Sequence, residues 1–148
     1  MKLKCLFVVV FVMLFATSCN KAVNEVVFHQ SHEANKQQAP FSDVVEHNDL
    51  LFLSGQIGLD HGTRTLVEGG IEAETKQCIE NIKAVLEHHK SSLDKVIKCT
   101  VILRDINDFA AFNAVYETYF PIKPARTTFA ASGLALNASI EIEVIASK

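Results

Sequence analysis

Arg126, Glu141 and Glu143 are the residues whose types and spacing best suit chemistry. Pro124 fixes its own φ and biases Lys123 towards an extended geometry, so a strand can start cleanly near Arg126. From Ile140 onward the chain alternates: Ile140, Ile142 and Val144 share one face, and Glu141 and Glu143 share the other. The Gly133-Leu134-Ala135-Leu136-Asn137-Ala138 segment has the length of a turn or loop joining neighbouring strands. That arrangement puts one guanidinium and one or two carboxylates on the same surface of a sheet. A guanidinium suits a planar carboxylate because its donors form a fixed fork. A Glu beside it suits moving a proton or orienting a water. The competing reading is a surface ion pair between Arg126 and Glu141 or Glu143 across adjacent strands.

The elements that must position these groups follow from the patterning. Residues 41–45 and 50–57 read as two strands, with His47-Asn48-Asp49 as their turn. Leu50-Leu51-Phe52-Leu53 is apolar on both faces and needs cover on both. In a chain of 148 residues the second cover is expected to be another subunit. Asp60-His61-Gly62-Thr63 is a turn, and Gly69-Gly70 precedes a helix over 71–89. Its stripe is Thr75, Cys78, Ile79, Ile82, Val85 and Leu86. Glu72 and Glu74 sit in its first turn and Lys90 at its end, as the helix dipole favours.

Residues 96–103 form a strand in which Ile97, Cys99, Val101 and Leu103 alternate. Asp105 or Asn107 caps a second helix over 108–119, with Phe109, Phe112, Val115, Tyr116 and Tyr119 mostly on one side. Strands over 127–131 and 140–145 complete the chain. The fold class is α+β, one sheet layer with two helices on one face.

The tetrapeptide Pro124-Ala125-Arg126-Thr127 and the closing Ile140-Glu141-Ile142-Glu143-Val144-Ile145-Ala146 resemble the signature of the reactive intermediate deaminase (RidA) family. Pro40-Phe41-Ser42, Leu53-Ser54-Gly55-Gln56-Ile57, Val67-Glu68-Gly69-Gly70-Ile71 and Asn107-Asp108-Phe109 through Asn113-Ala114-Val115-Tyr116 agree in order and spacing. The resemblance runs from Ala39 to Ala146 and implies a chorismate-mutase-like fold. It also implies a homotrimer in which the helix-free sheet faces pack together and ligand sites lie at the subunit boundaries. Members hydrolyse enamines and imines derived from amino acids, such as 2-aminoacrylate and 2-iminopropanoate, to 2-keto acids and ammonia. No metal or organic cofactor is implied.

Carried over residue by residue, the resemblance makes Arg126 the substrate-carboxylate ligand and Glu141 the group that positions or deprotonates water. Glu143 is the structural carboxylate. Gly55 lacks a Cβ and lets backbone approach a ligand, a bulge being the alternative. Asn113 on the second helix resembles a ligand-contacting residue, against the alternative of an exposed helix Asn. Phe41 stands where many members carry a ligand-contacting Tyr, so a hydroxyl is lost and the pocket wall is more apolar. Thr128 stands where some members carry Cys, so no thiol chemistry is expected there. The alternatives to hydrolysis are a non-catalytic small-carboxylate-binding module and a chaperone-like protein. An endoribonuclease ranks behind them, because a net charge of −3 gives phosphates no clustered cations and nucleic acid is not an expected partner.

Residues 1–18 read as a signal peptide, with Lys2 and Lys4 ahead of an apolar run over 6–16. The run is shorter than the ~20 residues that span a bilayer. Ala16-Thr17-Ser18-Cys19 resembles a lipoprotein cleavage box, with Ala16 where Leu is usual. The expectation is export and membrane anchoring through lipid on Cys19, facing the periplasm, with a soluble periplasmic protein as the alternative. Residues 19–38 read as a tether in which Val26-Val27-Phe28 can add a short strand, ahead of a domain over 39–148. His29 and His32 raise a metal site, but no matching Cys or His cluster accompanies them, and a solvated tether is preferred. An oxidising compartment permits a Cys78–Cys99 disulfide, but both fall on apolar faces and read as small buried hydrophobes.

Overall fold

The computed structural model describes residues 25–148, so the signal-peptide and Cys19 expectations fall outside the described residues. Among the described residues nine strands and two α-helices follow in chain order. Strands β1 (Val26–His29), β2 (Val44–His47), β3 (Leu50–Leu53) and β4 (Gln56–Ile57) come first, then a hairpin of β5 (Leu59–Asp60) and β6 (Thr65–Leu66). Helix α1 (Gly70–His88), β7 (Val96–Leu103), α2 (Phe109–Tyr119), β8 (Ala125–Ala130) and β9 (Ile140–Ser147) complete the chain. The main sheet runs β1-β2-β3-β9-β7-β8, with β4 also pairing β9. Every pairing is antiparallel except β7 with β8, which is parallel. The fold is therefore α+β with a mixed sheet, as expected.

The parallel pair exists because α2 carries the chain back across the sheet between β7 and β8. This overturns one expectation. The 133–138 segment does not join neighbouring strands, because β7 lies between β8 and β9. Hydrophobic alternation says which residues share a face but not which strands are adjacent.

One face of the sheet is closed by the helices. Val44, Leu51, Leu53, Cys99, Val101, Leu103, Ile140, Ile142 and Val144 are buried against Cys78, Ile79, Ile82 and Leu86 of α1 and Phe112 of α2. Cys78 and Cys99 are buried free thiols, and burial pushes both upward in pKa. Glu74 of α1 is also buried and accepts from the Ser139 N–H and hydroxyl, both at 2.7 Å, fixing the start of β9. Asp105 rather than Asn107 caps the turn leading into α2, accepting from Asn107 N–H at 2.9 Å. Among the described residues no helix covers the other face, and Phe52 and Phe129 there remain 39% and 45% exposed. Leu51 and Leu53 face the helices, so the two-sided apolar strand is covered on one side within the chain.

Two strand boundaries shift. Phe41 precedes β2 rather than lying in it, and the 50–57 strand is broken at Ser54-Gly55 into β3 and β4. Residues 25–38 of the expected tether are built into the domain, and residues 19–24 lie outside the described residues. Strand β1 pairs β2, and Ala34–Lys36 form a short 3-10 turn. His29 is half-buried and bonds Glu46 at 3.2 Å, and its ring lies 4.6 Å from that of His89. His32 stacks on His88 at 4.7 Å.

Candidate functional site

Arg126 lies on β8, in register with Cys99 of β7, which in turn faces Val144 of β9. Paired residues share a face, so Arg126 points to the helix-covered side. Phe109, Phe112 and Tyr116 recur at helical spacing on α2 and form the surface it meets. Its guanidinium carbon stands 5.6, 5.1 and 4.6 Å from their ring centres, within cation–π range of all three. Thr128, two residues on, shares that face in register with Val101. Asn113 is one turn beyond Phe109 on α2. The Asn113 Oδ1 and Thr128 Oγ1 atoms are both buried without a hydrogen-bond partner. Leaving such an atom unpaired costs about 1–3 kcal/mol, so orphans gathered beside a cation call for an explanation.

Glu141 lies on β9 between Ile57 of β4 and Ile102 of β7, on the helix-free side. Gly55 makes room for it: a Cβ there would stand 2.0 Å from Glu141 Oε1, so any side chain at this position would displace the carboxylate. Burial first, and the charge of Glu143 second, raise the Glu141 pKa above its ordinary value. Glu141, Gly55 and Phe41 line a cleft of about 380 Å³ together with Lys36, Gln56, His61, Arg64 and Leu136.

A partly buried lysine of the cleft wall pairs with a buried carboxylate behind it. Lys36 Nζ donates to Asp43 at 2.5 Å and to Gln56 Oε1 at 3.2 Å. Burial alone would raise the Asp43 pKa, but the hydrogen bond and charge of Lys36 outweigh it and hold the carboxyl below its usual value.

The expected site residues thus divide into two groups of three. Arg126, Asn113 and Thr128 gather under α2, whereas Phe41, Gly55 and Glu141 gather in the cleft. Arg126 and Glu141 do not share a sheet surface, contrary to the expectation. They point to opposite faces, two strands and three residues apart, roughly 14 Å between Cα atoms. The ion-pair alternative fails for the same reason, since Arg126 meets aromatic rings instead. Sequence reading also missed Lys36, His61 and Arg64 as cleft residues. The expected tether contains Lys36, and its contact with Asp43 is made only when the 30–40 segment folds back. His61 and Arg64 stand on a hairpin turn, and their one sequence signal was the tendency of turns to carry function.

A mixed sheet backed by two helices, with an arginine under one helix and a carboxylate beside Gly55 in a cleft, defines an α+β domain built on one main sheet. The chain belongs to the family described as endoribonuclease L-PSP, whose model matches residues 31–148 and which takes in the RutC and RidA proteins. A RutC family protein of Pyrococcus horikoshii is 45% identical over 127 residues, covering 85% of this chain and 99% of that protein. The chloroplastic Reactive Intermediate Deaminase A of Arabidopsis thaliana is 36% identical over 132 residues, covering 88% of this chain and 70% of that one. Among solved structures, TdcF of E. coli with bound serine is 28% identical with a TM-score of 0.75, covering 82% of this chain and 98% of that chain.

Proposed function

We propose that this protein hydrolyses 2-imino acids and their enamine tautomers to 2-keto acids and ammonia, at sites that two copies of the chain complete together. The division of the site residues carries this reading. The α2 group offers a forked cation and two unpaired polar atoms but no proton-handling acid. The cleft offers a raised-pKa carboxylate, while its nearest lysine is engaged by Asp43. Strand β8 is a sheet edge and the helix-free face exposes Phe52 and Phe129, as an associating subunit requires. The homotrimer implied by the family resemblance supplies that association.

The chemistry needs little from the protein. The substrate carboxylate docks on Arg126, whose fork matches it. Glu141 of the partner subunit accepts a proton from a water that adds to the electrophilic C=N carbon. The partner subunit's Glu141 returns that proton to the carbinolamine nitrogen, the C–N bond breaks as the hydroxyl gives its proton to solvent, and 2-keto acid and ammonia leave. Phe41, without a hydroxyl, makes this wall of the cleft apolar, and the Gly55 backbone lies against the ligand.

Ammonia release from freshly generated imino acid tests the reading. The Arg126→Ala variant is expected to lose turnover by about a hundredfold or more while remaining assembled. Unchanged turnover would overturn the assignment. The serine bound in the TdcF structure favours a second reading, a module that binds small amino or keto acids without turning them over. Calorimetric binding with no ammonia released would establish it.

We also propose export with lipidation at Cys19, on the strength of the apolar run and the Ala16-Thr17-Ser18-Cys19 box. The RutC relative matches 99% of its own length but 85% of this chain, consistent with an added segment here. Metabolic labelling with a fatty acid that vanishes in Cys19→Ala is the expected result, and equal labelling would exclude it.

A further inference from the structure

The hairpin formed by β5 and β6 brings two side chains to the cleft that the proposed mechanism does not use, His61 and Arg64. The hairpin is firmly seated. Asn81 of α1 donates to the carbonyls of Ile57 at 3.1 Å and Leu59 at 2.9 Å, and Val67 N–H donates to Gly58 O at 3.0 Å. Its tip is shaped by Asp60, whose carboxylate accepts from Gly62 N–H at 2.8 Å and Thr63 N–H at 3.0 Å. Arg64 N–H donates to the Asp60 carbonyl at 2.8 Å, with Arg64 itself in the left-handed region at φ 62°. A bulky residue adopts that conformation when its surroundings hold it there.

The charges around the cleft are unevenly matched. Lys36 is engaged by Asp43, whereas Arg64 enters none of the ion pairs among the described residues. His61 has Nδ1 sealed from solvent with no partner, which leaves Nε2 as the ring nitrogen that a ligand can reach. Glu33 and Asp43 are the acids whose charges act on His61, and Glu141 is the acid in the lining of the same cleft. An open guanidinium and an unpartnered imidazole beside a small-molecule cleft form a receptor for an anionic group additional to any that Arg126 binds.

We propose that His61 and Arg64 form a second carboxylate subsite, and that the preferred substrates are imines of acidic amino acids. Their side-chain carboxylate rests on this pair while Arg126 of the partner subunit takes the α-carboxylate. The subsite deepens the hydrolysis reading and rests on it for the identity of the reacting group. Arg64 is a specificity determinant here and takes no part in proton transfer, so its removal should move discrimination between substrates rather than the chemical step. Its fork is matched to a carboxylate, so a lysine in its place should restore charge without full selectivity.

The test compares ammonia release from imines of glutamate and of leucine, generated in situ by amino-acid oxidases, for the native chain, Arg64→Met and Arg64→Lys. The native chain should favour the glutamate-derived imine in kcat/KM by about tenfold. Arg64→Met should erase that preference through KM, leave the leucine-derived imine within about twofold, and be partly rescued by Arg64→Lys. Absence of a preference in the native chain, or equal losses for both imines in Arg64→Met, would overturn the subsite. Calorimetry with 2-oxoglutarate and 2-oxobutanoate separates this inference from the hydrolysis reading. If no imine is turned over but 2-oxoglutarate binds selectively and the selectivity is lost in Arg64→Met, the subsite stands and hydrolysis falls. Equal binding of the two keto acids overturns the subsite whatever the turnover.

Discussion

Arg126 is held by what surrounds it, three aromatic rings of α2 within 5.6 Å of its guanidinium carbon, whereas Glu141 is placed by what is missing beside it, a Cβ at Gly55. The first arrangement is a product of packing. It shares its face with the hydrophobic core, and its hold is spread over three rings rather than one contact. The second depends on a single close approach and on the Lys36–Asp43 pair beneath the cleft, so single-atom changes should disturb it. In the proposed composite site the contrast separates two tasks. A rigid cation can orient a carboxylate, while a carboxylate of raised pKa is better suited to exchanging protons.

Substitutions in the two halves should therefore fail differently. Glu141→Gln should lower kcat for imine hydrolysis by about a hundredfold or more and leave binding of a keto acid nearly intact. Equal loss of binding and turnover would mean that Glu141 only shapes the cleft. Lys36→Met should leave Asp43 buried without its counter-charge and destabilise the fold by about 3 kcal/mol, read from the urea midpoint. A negligible shift would show that Asp43 finds another partner. Gly55→Ala should push the Glu141 carboxylate out of place, cutting turnover about tenfold while the urea midpoint barely moves.

The smallest effect is one of pH. The folded pKa of Glu141 lies above its ordinary value of 4.5, so the stability it contributes is present below that pH and is lost as pH rises through the folded value. Glu141→Gln should therefore be more stable relative to the native chain at pH 7 than at pH 4, and turnover by the native chain should rise with pH across the same window. A pH-independent stability difference would place the raised pKa in doubt.

The two helices, strand β7 and the alternation of β9 were legible because each has a long, regular period. Arg126 and Glu141 stood out by residue type and spacing, whereas Phe41, Gly55, Asn113 and Thr128 were legible only through resemblance. Nothing in the chain's periodicity marks Asn113 or Thr128, whose significance is an unpaired atom visible only once α2 and β8 pack. The opposite orientations of Arg126 and Glu141 escaped sequence reading because alternation is internal to a strand. The relative phase of β8 and β9 is set by β7 lying between them, and that placement comes from the α2 crossover. Lys36, His61 and Arg64 escaped it because their meeting in the cleft is long-range, made by a folded-back segment and a hairpin tip.

Subunit mixing addresses the composite site most directly. Arg126→Ala and Glu141→Gln chains, each inactive alone, would be unfolded together and reassembled at equal concentrations. In a ring of three whose every site takes Arg126 from one copy and Glu141 from the next, roughly a quarter of the native activity should return. Activity no higher than that of either variant alone, in assemblies shown to contain both chains, would contradict the account.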